Sequence, residues 1–215
     1  MQRIIIFANG DLPDIKKIPT ILQDGDHIIC ADGGIRHALA LDLKPDLVIG
    51  DMDSTGEADL QKLQTDGVSI ELFPQDKNET DLELAIQHAL KLKAKEIIII
   101  AALGGRLDQT LANISLLSDP RLATLNFKFD DGVEEIFFCR DQAQVHGSSG
   151  DVVSLIPWQG PVTGVRTKSL KWPLDNETLY PEKTRGISNE MLGDIARVKV
   201  ESGNLLIVHT RKSKM

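Results

Sequence analysis

"EIIIIAALGGRLDQTLANISLL" (96–117) holds the pattern that decides the fold. A run of isoleucines of strand length opens it, and β-branched side chains suit a strand buried on both faces. The diglycine that follows admits a tight turn and a close backbone approach. "RLDQTLANISLL" then reads as a helix. The same order recurs upstream, where "RIIIFAN" (3–9), "HIICAD" (27–32) and "LVIGD" (47–51) are short apolar runs and "VSIELF" (68–73) is a further strand. Between them stand helical patterns, "GIRHALALDL" (34–43), "EADLQKLQTD" (57–66) and "ETDLELAIQHALKLKA" (79–94). This alternation predicts an α/β domain built on a doubly wound, mostly parallel sheet with helices on both faces.

From about residue 125 the pattern changes. "LNFKFDDGVEEIFFC" (125–139) reads as two alternating strands around an Asp-Asp-Gly turn. "GDVVSLIPW" (150–158), "GPVTGVRTKSL" (160–170) and "ARVKVESGNLLIVHT" (196–210) are rich in valine and glycine turns, with little helical periodicity. A C-terminal all-β, sandwich-like domain is expected, with a division into 1–140 and 141–215.

Composition narrows the function. The 215 residues carry 24 Lys and Arg against 32 Asp and Glu, a net charge of −8. That argues against a nucleic-acid or anionic-membrane surface, and an anionic ligand would need local positive charge. No stretch is apolar for the roughly twenty residues that a membrane span needs. "MQRIIIFANGD" (1–11) reads as a first strand and not as a signal peptide. Cys30 and Cys139 fit no metal spacing and are expected as buried thiols of a reducing cytoplasm. The five histidines form no HxH or HExxH pattern, which turns the search for a metal away from zinc.

In an open parallel sheet, ligands bind beyond the carboxyl ends of the strands. Three loops place acids there: Asp32 in "ADGG" (31–34), Asp51 and Asp53 in "GDMDS" (50–54), and Asp108 in "GGRLDQ" (104–109). Each has an ordinary explanation. Asp32 suits a helix N-cap, Asp108 a first-turn acid, and Thr80 with Glu83 forms a capping box that accounts for Asp81. Taken together, however, the carboxylates suit an oxygen-ligated hard cation such as Mg²⁺. Gly104 and Gly105 before a helix start, with Arg106 beside them, suit phosphates, although neither GxxxxGK[ST] nor GxGxxG is present.

"ADGG", "GDMDS", "DKNETDLELA" (76–85) and "GGRLDQ", in that order, resemble the thiamine pyrophosphokinase family. "LKWPL" (170–174) and "RGISNE" (185–190) are similar to that family's thiamine-binding β-domain. The resemblance implies a diphosphoryl transfer from ATP to thiamine, giving thiamine diphosphate and AMP, in a cytoplasmic homodimer with thiamine at the subunit interface. It implies Mg²⁺ at Asp51, Asp53 and Asp81, with Asp32 at the same site, and ATP contacts from Gly104, Gly105, Arg106, Asp108 and Gln109. Ser188 and Asn189 match residues that meet the substrate's pyrimidine. Lys77-Asn78 stands where many members read Lys-Asp, so Asn78 is not assigned to metal. Lys77 is a further candidate at the nucleotide. Trp172 sits where an aromatic is usual, to stack on the substrate or to pack beside Pro173.

Other readings fit parts of the chain. "VIGDMDST" (48–55) matches the nucleophile motif of haloacid-dehalogenase-type phosphatases, with Asp51 phosphorylated. A diphosphokinase for another alcohol, such as a pterin, would keep the N-terminal acids without "SNE". A non-catalytic binding module would keep the folds and lose the acids.

Overall fold

Ile4, Ile5, Ile6 and Phe7 are fully inaccessible to solvent, as are Ile97, Ile99 and Ile100. Burial of successive residues means that both faces of these strands are covered. The structure, a computed structural model, describes residues 2–52, 61 and 63–212. The chain divides into two units, Met1–Asp131 and Gly132–Met215.

The first unit contains β1 (Arg3–Phe7), β2 (His27–Ala31), β3 (Leu47–Gly50), β4 (Ser69–Leu72), β5 (Glu96–Ile100) and β6 (Asn126–Asp130). They lie in the order β4-β3-β2-β1-β5-β6, and each pairing is parallel. Helix α1 (Ile35–Ala40) buries Ile35 and Ala38 with Ile5, Phe7, Cys30, Val48 and Ile98 on one face. Ile4, Ile6, Ile29, Ile49 and Ile97 alternate with that set and point to the other face. There α2 (Asp81–Lys91) packs on β1 to β3 through Leu82, Ala85, Ile86 and Ala89. Helix α3 (Leu107–Leu116) follows β5 and has no buried residue. The helix expected over 57–66 lies largely outside the described residues.

The strand at 126–130 falls within the expected 1–140 domain. Strand β6 pairs in parallel with β5, so the run through 126–130 completes the α/β sheet and does not open the all-β half. Its alternating pattern marks a strand but says nothing about the partner. The order of the strands also locates the crevice. Chain connections run outward from β1 through β2, β3 and β4, then return to place β5 and β6 on the opposite side of β1. The reversal falls between β1 and β5, where open α/β sheets bind their ligands.

The second unit is all β: β7 (Glu134–Cys139), β8 (Gln142–His146), β9 (Val152–Lys168), β10 (Glu177–Leu179), β11 (Asn189–Glu190), β12 (Ile195–Lys199) and β13 (Ser202–Thr210). The runs at 150–158 and 160–170 merge into the single 17-residue β9. Its first part pairs with β13 and β11, and its last part pairs with β12 and β10. Gly164, at φ +65°, supplies a left-handed step that side chains rarely adopt, which lets one strand serve both sheets. Val153, Leu155, Val165, Val198, Leu205 and Ile207 fill the core between them. His209 is fully buried between Asp151, at 3.1 Å, and Glu135, at 3.3 Å.

Both cysteines are free and buried, as expected. Burial raises both thiols, Cys139 to about 11, which keeps them protonated and inert near neutrality. No helix among the described residues is long and apolar enough to cross a membrane.

Candidate active site

Four loops meet at the carboxyl ends of β1, β2, β3 and β5 around a cavity of about 560 Å³. The loop after β1 brings Asn9, Gly10 and Asp11. The loop after β2 brings Asp32, and that after β3 brings Asp51. Gly104, Gly105 and Arg106 come from the β5–α3 turn and Gln109 from the first turn of α3, while Lys77 comes from the loop before α2 and Thr80 and Asp81 from its start.

These loops are tied to one another. Gly105 N donates to Asp11 Oδ2 at 2.8 Å, which pins the diglycine turn to the end of β1. Gly104 has φ +86°, and a Cβ there would stand 2.5 Å from the Asp11 carboxylate. Asn9 Nδ2 donates to Asp32 Oδ2 at 3.0 Å. Arg36 of α1 donates to the Asn9 side chain and, at 3.0 Å each, to the carbonyls of Asn9 and Gly10. His37 Nε2 lies 3.0 Å from the Gly10 carbonyl oxygen. Burial lowers its pKa, so a neutral ring supports the loop from behind. Asp32, Met52 and Ala101, each beyond a strand end, have φ of +47°, +57° and +56°. Left-handed non-glycine residues cost energy, and at ligand sites the surrounding contacts impose them.

Asp81 is not the helix cap. Thr80 Oγ1 caps α2 by accepting from Glu83 N at 3.2 Å, and Glu83 Oε1 accepts from Gln87 Nε2 at 3.4 Å. Asp81 turns toward the cavity, where its Oδ1 is buried and makes no hydrogen bond. Lys77 Nζ forms an ion pair with that oxygen at 3.0 Å and also donates to Pro74 O at 3.2 Å. Arg106 and Gln109 line the cavity, but Asp108 does not. Asp108 instead holds the guanidinium, accepting from Arg106 Nε at 3.1 Å, and also accepts from Gln109 N at 2.9 Å. The Arg106 contact, with the Gln109 amide, holds the Asp108 carboxyl below its ordinary range, and the same contact raises Arg106.

The donors suit a hard cation. Asp32, Asp51 and Asp81 offer carboxylate oxygens around one cavity, and Asp81 Oδ1 is a buried acceptor whose charge partner is Lys77 Nζ at 3.0 Å. Among the described residues no three such groups enclose an ion by themselves. Mg²⁺ characteristically takes one or two carboxylates and completes its shell with phosphate oxygens and water, so an open donor set fits it. Asp53, expected as a ligand, lies outside the described residues.

In the second unit, "LKWPL" and "RGISNE" adjoin each other. Asn189 is buried, and its Oδ1 accepts from Trp172 N at 3.0 Å and Glu190 N at 2.9 Å. Its Nδ2 donates to Trp172 O at 2.6 Å. Trp172 is half exposed, and Lys171 Nζ stands 4.9 Å from its ring centroid. Ser188 has φ +57°, and its amide donates to Ser154 Oγ at 3.0 Å.

Asn9, Gly10, Asp11, Gln75 and Asn113 also line the cavity and were not among the expected residues. "FANGD" (7–11) carries the same signal as the other loops, polar residues after an apolar strand.

Comparison with known proteins agrees with both units. Residues 18–129 match the model described as thiamin pyrophosphokinase, catalytic domain. Residues 140–206 match thiamin pyrophosphokinase, vitamin B1 binding domain. The thiamine pyrophosphokinase of Bacillus subtilis is 24% identical over 98% of this chain and 99% of its own length. Thiamine pyrophosphokinase 2 of Arabidopsis thaliana is 26% identical over 97% of this chain and 86% of its own. Crystal structures show the same fold. That of the B. subtilis enzyme superposes with a TM-score of 0.88 at 23% identity, covering 99% of this chain and all of that one. The yeast thiamin pyrophosphokinase gives 0.79 at 17% identity, covering 97% and 86%. Because the two family models together span most of the sequence and name thiamin in both halves, they do not favour the phosphatase or pterin readings. This chain belongs to the thiamin pyrophosphokinase family.

Proposed function

We propose that this protein is a thiamine diphosphokinase, which moves the β- and γ-phosphoryl groups of ATP as one unit onto the hydroxyl of thiamine and releases AMP. The observation that carries this reading is the cavity at the sheet's switch point. It combines carboxylates for a cation with Arg106, Lys77 and a glycine turn for phosphates, in a chain that also matches a vitamin B1 binding domain.

The roles follow from the positions. Asp51, Asp53 and Asp81 would hold Mg²⁺, with Asp32 beside them. When bound, the ion neutralises the phosphates and polarises the phosphorus under attack. Lys77, released from part of its pairing with Asp81, and Arg106, held in place by Asp108, would each take phosphate oxygens. Gln109 and the Gly104–Gly105 backbone complete that wall. In a chain of net charge −8, these cations are what lets a polyanion approach. Asn9 and Arg36 brace the loop that carries Asp11, so the phosphate wall is positioned before ATP arrives.

Thiamine would lie against Trp172 and Ser188. One face of the indole already meets the Lys171 ammonium, which leaves the other for the aminopyrimidine. Asn189 spends both lone pairs of its amide oxygen on backbone groups, so its influence on thiamine runs chiefly through Trp172. We also infer a homodimer with thiamine at the subunit interface. Leu107 and Leu111, one turn apart on α3, are exposed, which supports a partner on that helix.

The reading is tested by supplying ATP, Mg²⁺ and thiamine and separating the products. AMP and thiamine diphosphate should form together, only with both substrates present, and Asp51→Asn should form neither while melting like the parent. Formation of AMP at the parental rate in that variant would exclude Asp51 from the site.

A further inference from the structure

The second unit carries a concentration of positive charge that the proposed reaction does not use. On the outward face of β8, β12 and β9, cross-strand register sets Arg197 opposite Lys168 and Lys199 opposite Arg166. Gln144 and Gln142 continue the same two rows on β8. The inward residues of these strands, Val145, Ala196, Val198 and Thr167, are buried, so the cations all stand on the solvent side. The turn through Pro173, Leu174 and Asp175 walls the face. It is fastened to β9 by Thr167 N to Leu174 O at 2.9 Å and by Leu174 N to Thr167 Oγ1 at 2.8 Å. The result is a groove of about 730 Å³.

Arg166 is neutralised by Glu201 at 2.8 Å and hydrogen-bonds Asn176 at 2.6 Å. Lys168, Arg197 and Lys199 pair with no carboxylate among the described residues. Like charges directly opposite on neighbouring strands repel and weaken the sheet. Arg197 and Lys168, in register and unrelieved, on an acidic protein with many carboxylates to spare, therefore stand at a cost that a bound anion would offset, and Lys199 adds a further unpaired charge beside them.

We propose that this groove binds an oligophosphate, a linear chain of phosphoryl groups that is either free or the tail of a nucleotide. Neighbouring strands lie about 4.8 Å apart and alternate residues about 6.8 Å apart, so the backbone positions of the four basic residues mark out a rectangle of that size. A single phosphate is smaller than the rectangle, whereas a phosphoanhydride chain reaches several corners at once. Arg197 provides the planar fork for two oxygens of one phosphoryl group, and the lysines provide point charges for the next. Gln142 and Gln144 can donate from their amides at the far rim. This site lies within the second unit and is separate from the cavity that takes ATP in the proposed reaction.

The probe is inorganic tripolyphosphate, titrated into the ¹⁵N-labelled full chain with EDTA present to keep divalent ions from the acidic cavity. Amide signals of 142–144, 166–168 and 197–199 should move, with an affinity that falls as salt is raised. In Arg197→Gln/Lys199→Gln the affinity should drop roughly tenfold or more, the effect of losing charge-assisted hydrogen bonds. The same variant should melt no lower than the parent, because it relieves the repulsion between Arg197 and Lys168. Lys168→Glu offers a second route to the same loss. ATP binding the groove as tightly as tripolyphosphate assigns the phosphate chain alone as the ligand, while tighter ATP assigns a nucleotide. Unmoved signals in these three segments, or unchanged affinity in the variants, would overturn the proposal. So would dissociation of an oligomer on making the double substitution, which would mark the face as an interface between copies.

Discussion

At Asp81 two roles compete for one carboxylate. As a first-turn acid it would favour the helix dipole by roughly 0.3–1 kcal/mol and leave chemistry alone. The hydrogen bonds show that Thr80 already caps α2, and Asp81 Oδ1 is left buried with Lys77 as its charge partner. A carboxylate in that position repels phosphates unless a cation joins it. Asp81→Asn should therefore lower turnover by about a hundredfold or more, the scale of losing one electrostatic contact to a phosphoryl-transfer state. Glu83→Gln, on the same helical turn with its carboxylate bonded to Gln87, should leave turnover nearly unchanged. Equal and small effects of the two substitutions on steady-state rates would return Asp81 to a role in helix stability. Asp32, Asp51 and Asp81 were legible in the sequence because each follows a strand or opens a helix with an acid where neutral residues would serve. Asp11 obeys the same rule, as a polar residue after the first apolar strand. What gives Asp11 its importance is the central position of β1, and strand order is a property of the long-range pairing.

At the scale of elements, the β5–α3 turn and the β11 segment each brace one wall of a proposed ligand site. Gly104 combines a left-handed backbone with contact against Asp11, so Gly104→Ala must either strain the turn, at about 1–3 kcal/mol, or break the Asp11–Gly105 bond. Thermal unfolding should show the loss of stability, and calorimetry should show weaker ATP binding. Undiminished ATP affinity would remove this turn from the phosphate site. In β11, Asn189→Ala leaves the N–H and C=O of Trp172 without their partner, at a cost of about 1–3 kcal/mol in stability. Thiamine affinity should fall with it and ATP affinity should not. A variant that is destabilised yet binds thiamine normally would mean that the orientation of Trp172 is irrelevant. "SNE" was legible as a motif, but the turning of its asparagine into the backbone was not, because spacing does not reveal which partner a buried amide selects.

For the whole molecule, periodicity read the two classes of unit correctly, since buried parallel strands and half-exposed sandwich strands bury their residues in different patterns. Alternation alone did not show which partner β6 takes, since its pattern resembles that of the second unit while its pairing belongs to the first. It also could not order the strands, and therefore could not locate the crevice between β1 and β5. Exposed Leu107 and Leu111 on α3 bear on assembly. If the thiamine site needs two copies, activity per chain should fall on dilution through the range where sedimentation shows dissociation, and Leu111→Glu should shift that range upward. A fully active monomer would refute the interface site.

The central claim is that two phosphoryl groups move together. Phosphorus NMR of the running reaction follows every phosphorus in ATP, thiamine and Mg²⁺ mixtures without separation. The account predicts that AMP and thiamine diphosphate appear in equal amounts, with neither ADP nor orthophosphate as a product. ADP with thiamine monophosphate, or orthophosphate released without thiamine, would contradict it.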